Sequence, residues 1–206
     1  MSASRERVFV VDDDPAVRKS LSRLLRSAGL EALTFGSPEE FLRRLDREAA
    51  GCAILDVAMP GLDGLALQRE LSSLGSELPV IFLTGHGDIP KSVQAMKGGA
   101  TDFLTKPVDD EVLLGAVRRA LEADRAARQD RRQIAEIRGR LGALTSRERE
   151  VLEGVVAGRL NKQIAGDLGI AEKTVKVHRG RVMQKMRAVS LAELVRLADR
   201  AGIRRP

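Results

Sequence analysis

Val8-Phe9-Val10-Val11-Asp12-Asp13-Asp14-Pro15 sets four consecutive apolar side chains directly before three carboxylates and a proline. An apolar run this short, made of β-branched and aromatic residues, suits a strand covered on both faces. Pro15 suits the first turn of a helix, where its missing N–H costs nothing. The stretch therefore reads as strand, acidic turn, helix. The same grammar recurs through the first half of the chain: residues 7–12, 31–35, 52–56, 79–84 and 101–105 read as short strands. Residues 15–28, 38–47, 63–74 and 89–97 read as amphipathic helices between them, with Gly29 and Gly98-Gly99 placed for C-caps. Strands alternating with helices predict βαβ units, hence a doubly wound α/β fold with five parallel strands and helices on both faces.

Polar residues close four of those apolar runs: Asp12-Asp13, Asp56, Thr84 and Lys106. In an open parallel sheet the C-terminal strand ends lie side by side in the crevice where ligands bind. Taken singly, each has a plain reading: a helix cap, a loop carboxylate, a strand-end hydroxyl and a solvated amine. Taken together they describe a site for phosphoryl transfer. A hard divalent cation such as Mg²⁺ is held by one or two carboxylates, with waters and phosphate oxygens completing its shell. Asp13 and Asp56 can supply those carboxylates and Asp12 can hold a metal-bound water. A carboxylate can also accept the phosphoryl group, and Lys106 and Thr84 can engage its remaining oxygens.

Composition bounds the rest. The chain has 206 residues, comfortable for two small domains, with 43% hydrophobic residues. Cys52 is the single cysteine, so no intrachain disulfide can form, and it reads as a small buried hydrophobe. Val8 to Val11 is too short for a signal peptide or membrane span, so a soluble, cytoplasmic protein with no membrane partner is expected. The net charge of +6 is unevenly spread. Residues 1–117 carry 13 Lys and Arg against 18 Asp and Glu, a charge of −5. Residues 118–143 carry +4 and residues 144–206 carry +7. An acidic cation-binding domain joined to one that meets a polyanion is the expected layout.

From residue 109 the pattern is helical to about residue 140. Ala120, Ala127, Ile134 and Leu141 recur every seven residues, with Ala123, Ile137 and Leu144 three places after three of them and Asp130 interrupting the series. This seam reads either as a weak dimerising coiled coil or as a solvated spacer helix. Thr145-Ser146-Arg147-Glu148 is a capping box for a helix ending at Gly158. Asn161 is placed to cap a second helix, Lys162 to Leu168. Helices from about Glu172 to Met186 and from about Leu191 to Ala201 follow. The pair joined through Gly169-Ile170-Ala171 predicts a helix-turn-helix, whose second helix carries Lys173, Lys176, Arg179, Arg181 and Lys185.

Two sets of motifs resemble known families. Val10-Val11-Asp12-Asp13, Leu55-Asp56-Val57-Ala58-Met59-Pro60-Gly61-Leu62-Asp63-Gly64, Thr84-Gly85-His86 and Phe103-Leu104-Thr105-Lys106-Pro107 resemble the CheY-like receiver domain, of flavodoxin-like fold. Leu144-Thr145-Ser146-Arg147-Glu148-Arg149-Glu150-Val151-Leu152, Asn161-Lys162-Gln163-Ile164-Ala165, Thr174-Val175-Lys176-Val177-His178 and Glu193-Leu194-Val195 resemble the LuxR-type helix-turn-helix domain, an all-α four-helix unit. The whole chain is similar to two-component response regulators of the NarL/FixJ class, closest to FixJ-like members. The division that this implies is a receiver over 1–120, a helical linker over 121–143 and a DNA-binding domain over 144–206.

The resemblance implies roles. Asp56 is the phosphoacceptor, served by Thr84 and Lys106. Asp12, Asp13, Asp56 and the carbonyl of Ala58 hold Mg²⁺, the one cofactor, and no organic cofactor is expected. Thr84 and Phe103 form the switch, and Lys106-Pro107 is a cis peptide. His86 is read as shaping its loop, and His178 as a packed or backbone-contacting residue. Lys176 and Val177 face base edges, while Lys173, Thr174, Arg179 and Arg181 touch phosphate or bases. Residues 190–203 form a dimerising helix. The implied partners are a sensor histidine kinase, double-stranded promoter DNA, RNA polymerase and a second copy of the chain on phosphorylation or DNA binding. The implied output is phosphorylation-controlled transcription, with activation expected rather than enzymatic turnover. Two departures stand out. Ala171 lacks the Ser or Thr cap common in relatives, which costs the recognition helix about 1 kcal/mol, and Gly180 in that helix costs roughly another 1 kcal/mol. Two rival readings stay open: a phosphorylation-independent DNA-binding regulator, and a haloacid-dehalogenase-like phosphatase using Asp12-Asp13-Asp14.

Overall fold

A computed structural model describes residues 6–46, 48–85 and 89–203. His86 lies outside them. The chain divides into two compact units, residues 1–127 and 128–206, and each is taken by itself.

In the first unit, strands β1 (Arg7–Val11), β2 (Glu31–Phe35), β3 (Gly51–Asp56), β4 (Val80–Thr84) and β5 (Asp102–Thr105) alternate with helices. These are α1 (Pro15–Ser27), α2 (Pro38–Arg44), α3 (Gly64–Ser73), α4 (Ile89–Lys97) and the start of α5 (Asp110–Gly142). The strands form one parallel sheet in the order β2-β1-β3-β4-β5. Side chains along a strand alternate between faces, and each central strand feeds two cores. Val8, Val10, Cys52, Ile54, Ile81 and Leu83 pack against α1 and α5 through Leu21, Leu25, Leu113 and Val117. Phe9, Val11, Ala53, Leu55 and Phe82 pack against α2, α3 and α4 through Phe41, Leu67, Leu71 and Ala95. Burial on both faces explains the unbroken apolar runs. Cys52 is fully buried and its thiol is pushed up to about 12 by desolvation, with the Asp124 and Glu6 charges adding to it.

Residues 121–127 of α5 stay with this sheet. Leu121 is buried, the Asp124 carboxylate accepts the Gly51 N–H at 2.9 Å, and Arg125 pairs with Glu6.

The second unit holds the rest of α5 with α6 (Ser146–Val156), α7 (Asn161–Leu168), α8 (Glu172–Met186) and α9 (Leu191–Arg200). Its core contains Ile137, Leu141 and Leu144 beside Val151, Leu152, Ile164, Val175, Val182, Met186 and Leu194. These first three are three of the seven apolar seam positions read above as dimerising or solvated. Their apolar stripe is spent on the core of their own unit, so it is neither a free coiled-coil face nor a solvated one. Arg200 fastens α9 to the same stretch of α5 through Asp130 and, at 3.0 Å, Gln133.

Two local expectations change. Helix α7 begins at Asn161 rather than after it; Leu160 occupies the cap position and its N–H donates to Gln163 Oε1 at 2.7 Å. Asn161 is thereby released to accept from Arg179 at 3.2 Å. Lys185 does not belong to the outward basic set of α8. Its ammonium donates to Glu148 at 2.7 Å and to the Ala143 carbonyl at 3.1 Å. The turn between α7 and α8 runs through Gly169 at φ 64°, the left-handed region that glycine enters without steric cost. Ala171 caps α8 with no side-chain acceptor, and α8 continues unbroken through Gly180.

Glu148 closes the capping box with Thr145 and is 2% exposed. The hydrogen bond from Lys185, with the Thr145 N–H next, holds its carboxyl down at about 2, against an ordinary 4.5. A carboxylate depressed on folding stabilises the folded state above its ordinary range and loses that contribution as pH falls toward its folded value. Stability of the second unit, followed by amide exchange on the full chain, should therefore fall between about pH 4.5 and pH 2. The K185M variant, which strands the buried carboxylate, should cost about 2 kcal/mol at neutral pH.

Candidate phosphoacceptor site and nucleic-acid interface

Strand order decides which polar ends meet. Chain connections reverse direction between β1 and β3, and ligands bind at such a switch point, outside the carboxyl ends of the strands. Asp12 follows β1 and Asp56 ends β3. Both are buried, at 2% and 6% exposed. Lys106, beyond β5, reaches across to both carboxylates: its Nζ lies 2.6 Å from Asp12 Oδ2 and 3.2 Å from Asp56 Oδ1. Thr84 ends β4, is buried, and its carbonyl accepts the Lys106 N–H at 2.7 Å. The Lys106-Pro107 peptide is cis.

Helix α3 abuts the same strand end. A side chain at Gly64 would place its Cβ 2.1 Å from the Asp56 carbonyl oxygen, so only glycine allows this approach. Asp63 caps α3, accepting from the Ala66 N–H at 2.6 Å. On the other side Asp14 caps α1, accepting from Ala16 at 2.7 Å.

The electrostatics at this edge are opposed. Desolvation pushes the Asp56 carboxyl up, Lys106 pulls it back, and the charges of Asp12 and Asp13 push again, leaving it above the usual carboxylate range. Desolvation by itself would lower the Lys106 ammonium; its bonds to Asp12 and Asp56 outweigh that and leave it raised.

Asp12, Asp56, Thr84 and Lys106 are thus brought to one edge. Asp13 and Ala58 sit on the loops after β1 and β3, both exposed. Among the described residues no three His, Cys, Asp or Glu side chains gather closely enough to hold a metal by themselves. The expected carboxylate trio is therefore not a closed cluster: Asp12 is drawn to Lys106 while Asp13 is exposed on the loop. An all-oxygen set with two carboxylates near an edge still suits a hard cation that keeps several waters. Phe103 is half-buried against the α3–α4 core, its ring 6.1 Å from that of Phe82.

In the second unit Lys173, Thr174, Lys176, Val177 and Arg181 are exposed along α8, and Val177 is an apolar side chain left 49% exposed. Lys176 pairs with Glu172 at 3.3 Å. Arg179 is half-buried and held by Asn161. His178 is also half-buried, and its Nδ1 has no hydrogen-bond partner.

Sequence reading missed two residues. Arg18 donates from Nη1 to the Asp12 carbonyl at 2.6 Å, and Asn161 orients Arg179. Neither contact follows a motif spacing.

Both parts of the chain match known families. Residues 8–118 match the response regulator receiver domain, and residues 142–198 match the bacterial regulatory proteins of the luxR family. Nodulation protein W of Bradyrhizobium diazoefficiens is 49% identical over 202 residues, 98% of this chain and 89% of that protein. The transcriptional regulatory protein FixJ of Azorhizobium caulinodans is 50% identical over 201 residues, 95% of this chain and 93% of that protein. Among solved structures, the response regulator StyR superposes with a TM-score of 0.85 at 47% identity, covering 95% of this chain and 98% of StyR. Full-length FixJ from B. japonicum gives 0.60 at 43% identity, covering 98% and 99%.

The shared ammonium yields a prediction. In K106M, Asp12 and Asp56 lose the cation that offsets their burial, so Asp56 should titrate still higher. A carboxyl raised on folding favours the folded state as pH falls. Thermal melts of K106M should show a loss of about 2 kcal/mol at pH 7, recovering steadily as the pH is lowered toward 5.

Proposed function

The chain belongs to the two-component response regulators of the NarL/FixJ class, transcriptional regulators that join a receiver to a LuxR-type DNA-binding domain, and we propose that Asp56 is its phosphoacceptor. The observation that carries this reading is the Lys106 ammonium shared by Asp12 and Asp56 at adjoining strand ends. An oxygen of Asp56 attacks the phosphorus of a phosphohistidine on a sensor histidine kinase. The P–N bond breaks, a P–O bond forms, and the imidazole keeps its electron pair and takes a proton. The arriving group adds negative charge where Lys106 already sits, so its ammonium passes from carboxylate partner to phosphoryl partner. The Thr84 hydroxyl turns toward the new oxygens and Phe103 follows it inward. Asp12, Asp13, Asp56 and the Ala58 carbonyl would hold Mg²⁺, which when bound neutralises charge on the phosphoryl oxygens.

The output lies in α8. Lys176 and Val177 read base edges, and Lys173, Thr174, Arg179 and Arg181 hold phosphates or bases. Two copies, paired after phosphorylation, read a two-fold site in promoter DNA and activate transcription with RNA polymerase in the cytoplasm. Receiver function falls to residues 1–127 and DNA binding to residues 128–206, so the stretch 121–143 expected as a linker is shared between the two units. No described helix is long and apolar enough to cross a membrane.

Incubation with radiolabelled acetyl phosphate and Mg²⁺ should label the parent chain once per molecule and leave D56N unlabelled; label persisting in D56N contradicts the assignment. On DNA, K173A should weaken binding across all sequences and lower the salt slope by about 1. N161A should weaken binding by releasing Arg179, with α8 intact by circular dichroism.

A further inference from the structure

We propose that Arg18 is a positioning residue of the acidic loop, aiming Asp13 at the cation site through the Asp12–Asp13 peptide. The inference rests on the reading of Asp12, Asp13 and Asp56 given above.

Asp12 is 2% exposed and every polar atom it has is committed, each to a different part of the fold. Its N–H donates to the Phe35 carbonyl of β2 at 3.3 Å, and its Oδ1 accepts from the Asp14 N–H at 2.9 Å. Its Oδ2 accepts from Lys106 at 2.6 Å. Its carbonyl accepts from Arg18 Nη1, also at 2.6 Å. The last bond differs in kind from the others. The Asp12 carbonyl lies in the same rigid plane as the Asp13 N–H and Cα. Fixing that oxygen fixes the plane, and the plane decides where the exposed Asp13 carboxylate starts from.

Arg18 is itself held for this task. It lies in α1, whose backbone is anchored at the same loop by the Asp14 cap, and it is half-buried. Its guanidinium passes over the β2–α2 loop, 3.7 Å from where a Cβ on Gly36 would stand. Gly36 in turn donates its N–H to Glu40 at 3.1 Å. Among the described residues no carboxylate lies within ion-pair distance of Arg18, so its contact at the site is to a backbone carbonyl and not to a charge. Nearby Arg23, on the same helix, is exposed and has no bond to the loop among the described residues.

Coulomb's law and positioning make opposite predictions. Arg18 is a cation beside a cation site, so removing its charge should strengthen Mg²⁺ binding if charge is all it contributes. If it orients the loop, removing it should weaken binding, as loss of a residue that orients metal ligands does by roughly tenfold or more. The test is a Mg²⁺ titration of the unphosphorylated full chain, followed by the amide resonances of residues 12–14, for parent, R18M, R18K and R23M. R18M should need roughly tenfold more Mg²⁺ for half-saturation with its melting temperature unchanged. R18K, which keeps a donor and the charge, should recover part of the loss, and R23M should match the parent. With acetyl phosphate, R18M should still reach full labelling at saturating Mg²⁺, on Asp56. An R18M half-saturation equal to or below that of the parent overturns the inference. A parent chain that takes no label at all overturns instead the reading of Asp56 on which it rests.

Discussion

One ammonium holds the working edge of this protein together. Lys106 is carried beyond β5 and touches the carboxylates that follow β1 and end β3. Two buried carboxylates near each other repel and lack water, which costs several kcal/mol without a cation. The ammonium offsets that, and in doing so it ties strands that are not neighbours in the sheet. The same edge carries the backbone bond from Lys106 to Thr84 and the close approach of α3 to the Asp56 carbonyl that only Gly64 allows.

The same contact explains why such a site suits signalling. Asp56 sits above the usual carboxylate range, opposed by burial and by two acidic neighbours and supported by one lysine. On the proposed reading, a phosphoryl group on Asp56 would bring about −2 charge and three acceptor oxygens for Lys106 and the Thr84 hydroxyl to engage. The proposed movement of Thr84 and Phe103 would need only a few kcal/mol to shift a population. The second unit carries a basic helix whose outward residues are exposed and whose remaining charges are spent internally on Glu148 and Asn161.

The fold and the strand-end residues were legible in the sequence because both follow short-range rules. Apolar runs of strand length, Pro15 and Pro38 at helix starts, and glycines at helix ends state where elements begin and stop. The parallel arrangement then forces the polar residues that follow the strands onto one edge. The misreadings share a cause. A heptad-like stripe has the same period whether it meets another chain or its own domain, so Ile137, Leu141 and Leu144 could not reveal that they complete a local core. A lysine on a helix does not announce which face it takes, so the count of basic residues on α8 could not show that Lys185 turns to Glu148. Asn161 has the chemistry of a cap, yet the reciprocal bond between Leu160 and Gln163 starts α7 one residue earlier. Arg18 left no pattern because its partner is a carbonyl, which every residue has.

The central claim is that charge added at Asp56 is read out on DNA. Its most direct test uses duplexes selected from a random pool by the full chain with Mg²⁺ and beryllofluoride, a phosphoryl mimic. Affinity for one such duplex is then measured at a single salt concentration, with and without beryllofluoride. The account predicts binding tighter by about tenfold or more with the mimic present, and no such gain in D56N. Equal affinity in its presence and absence, with Asp56 occupied by the mimic, would contradict it.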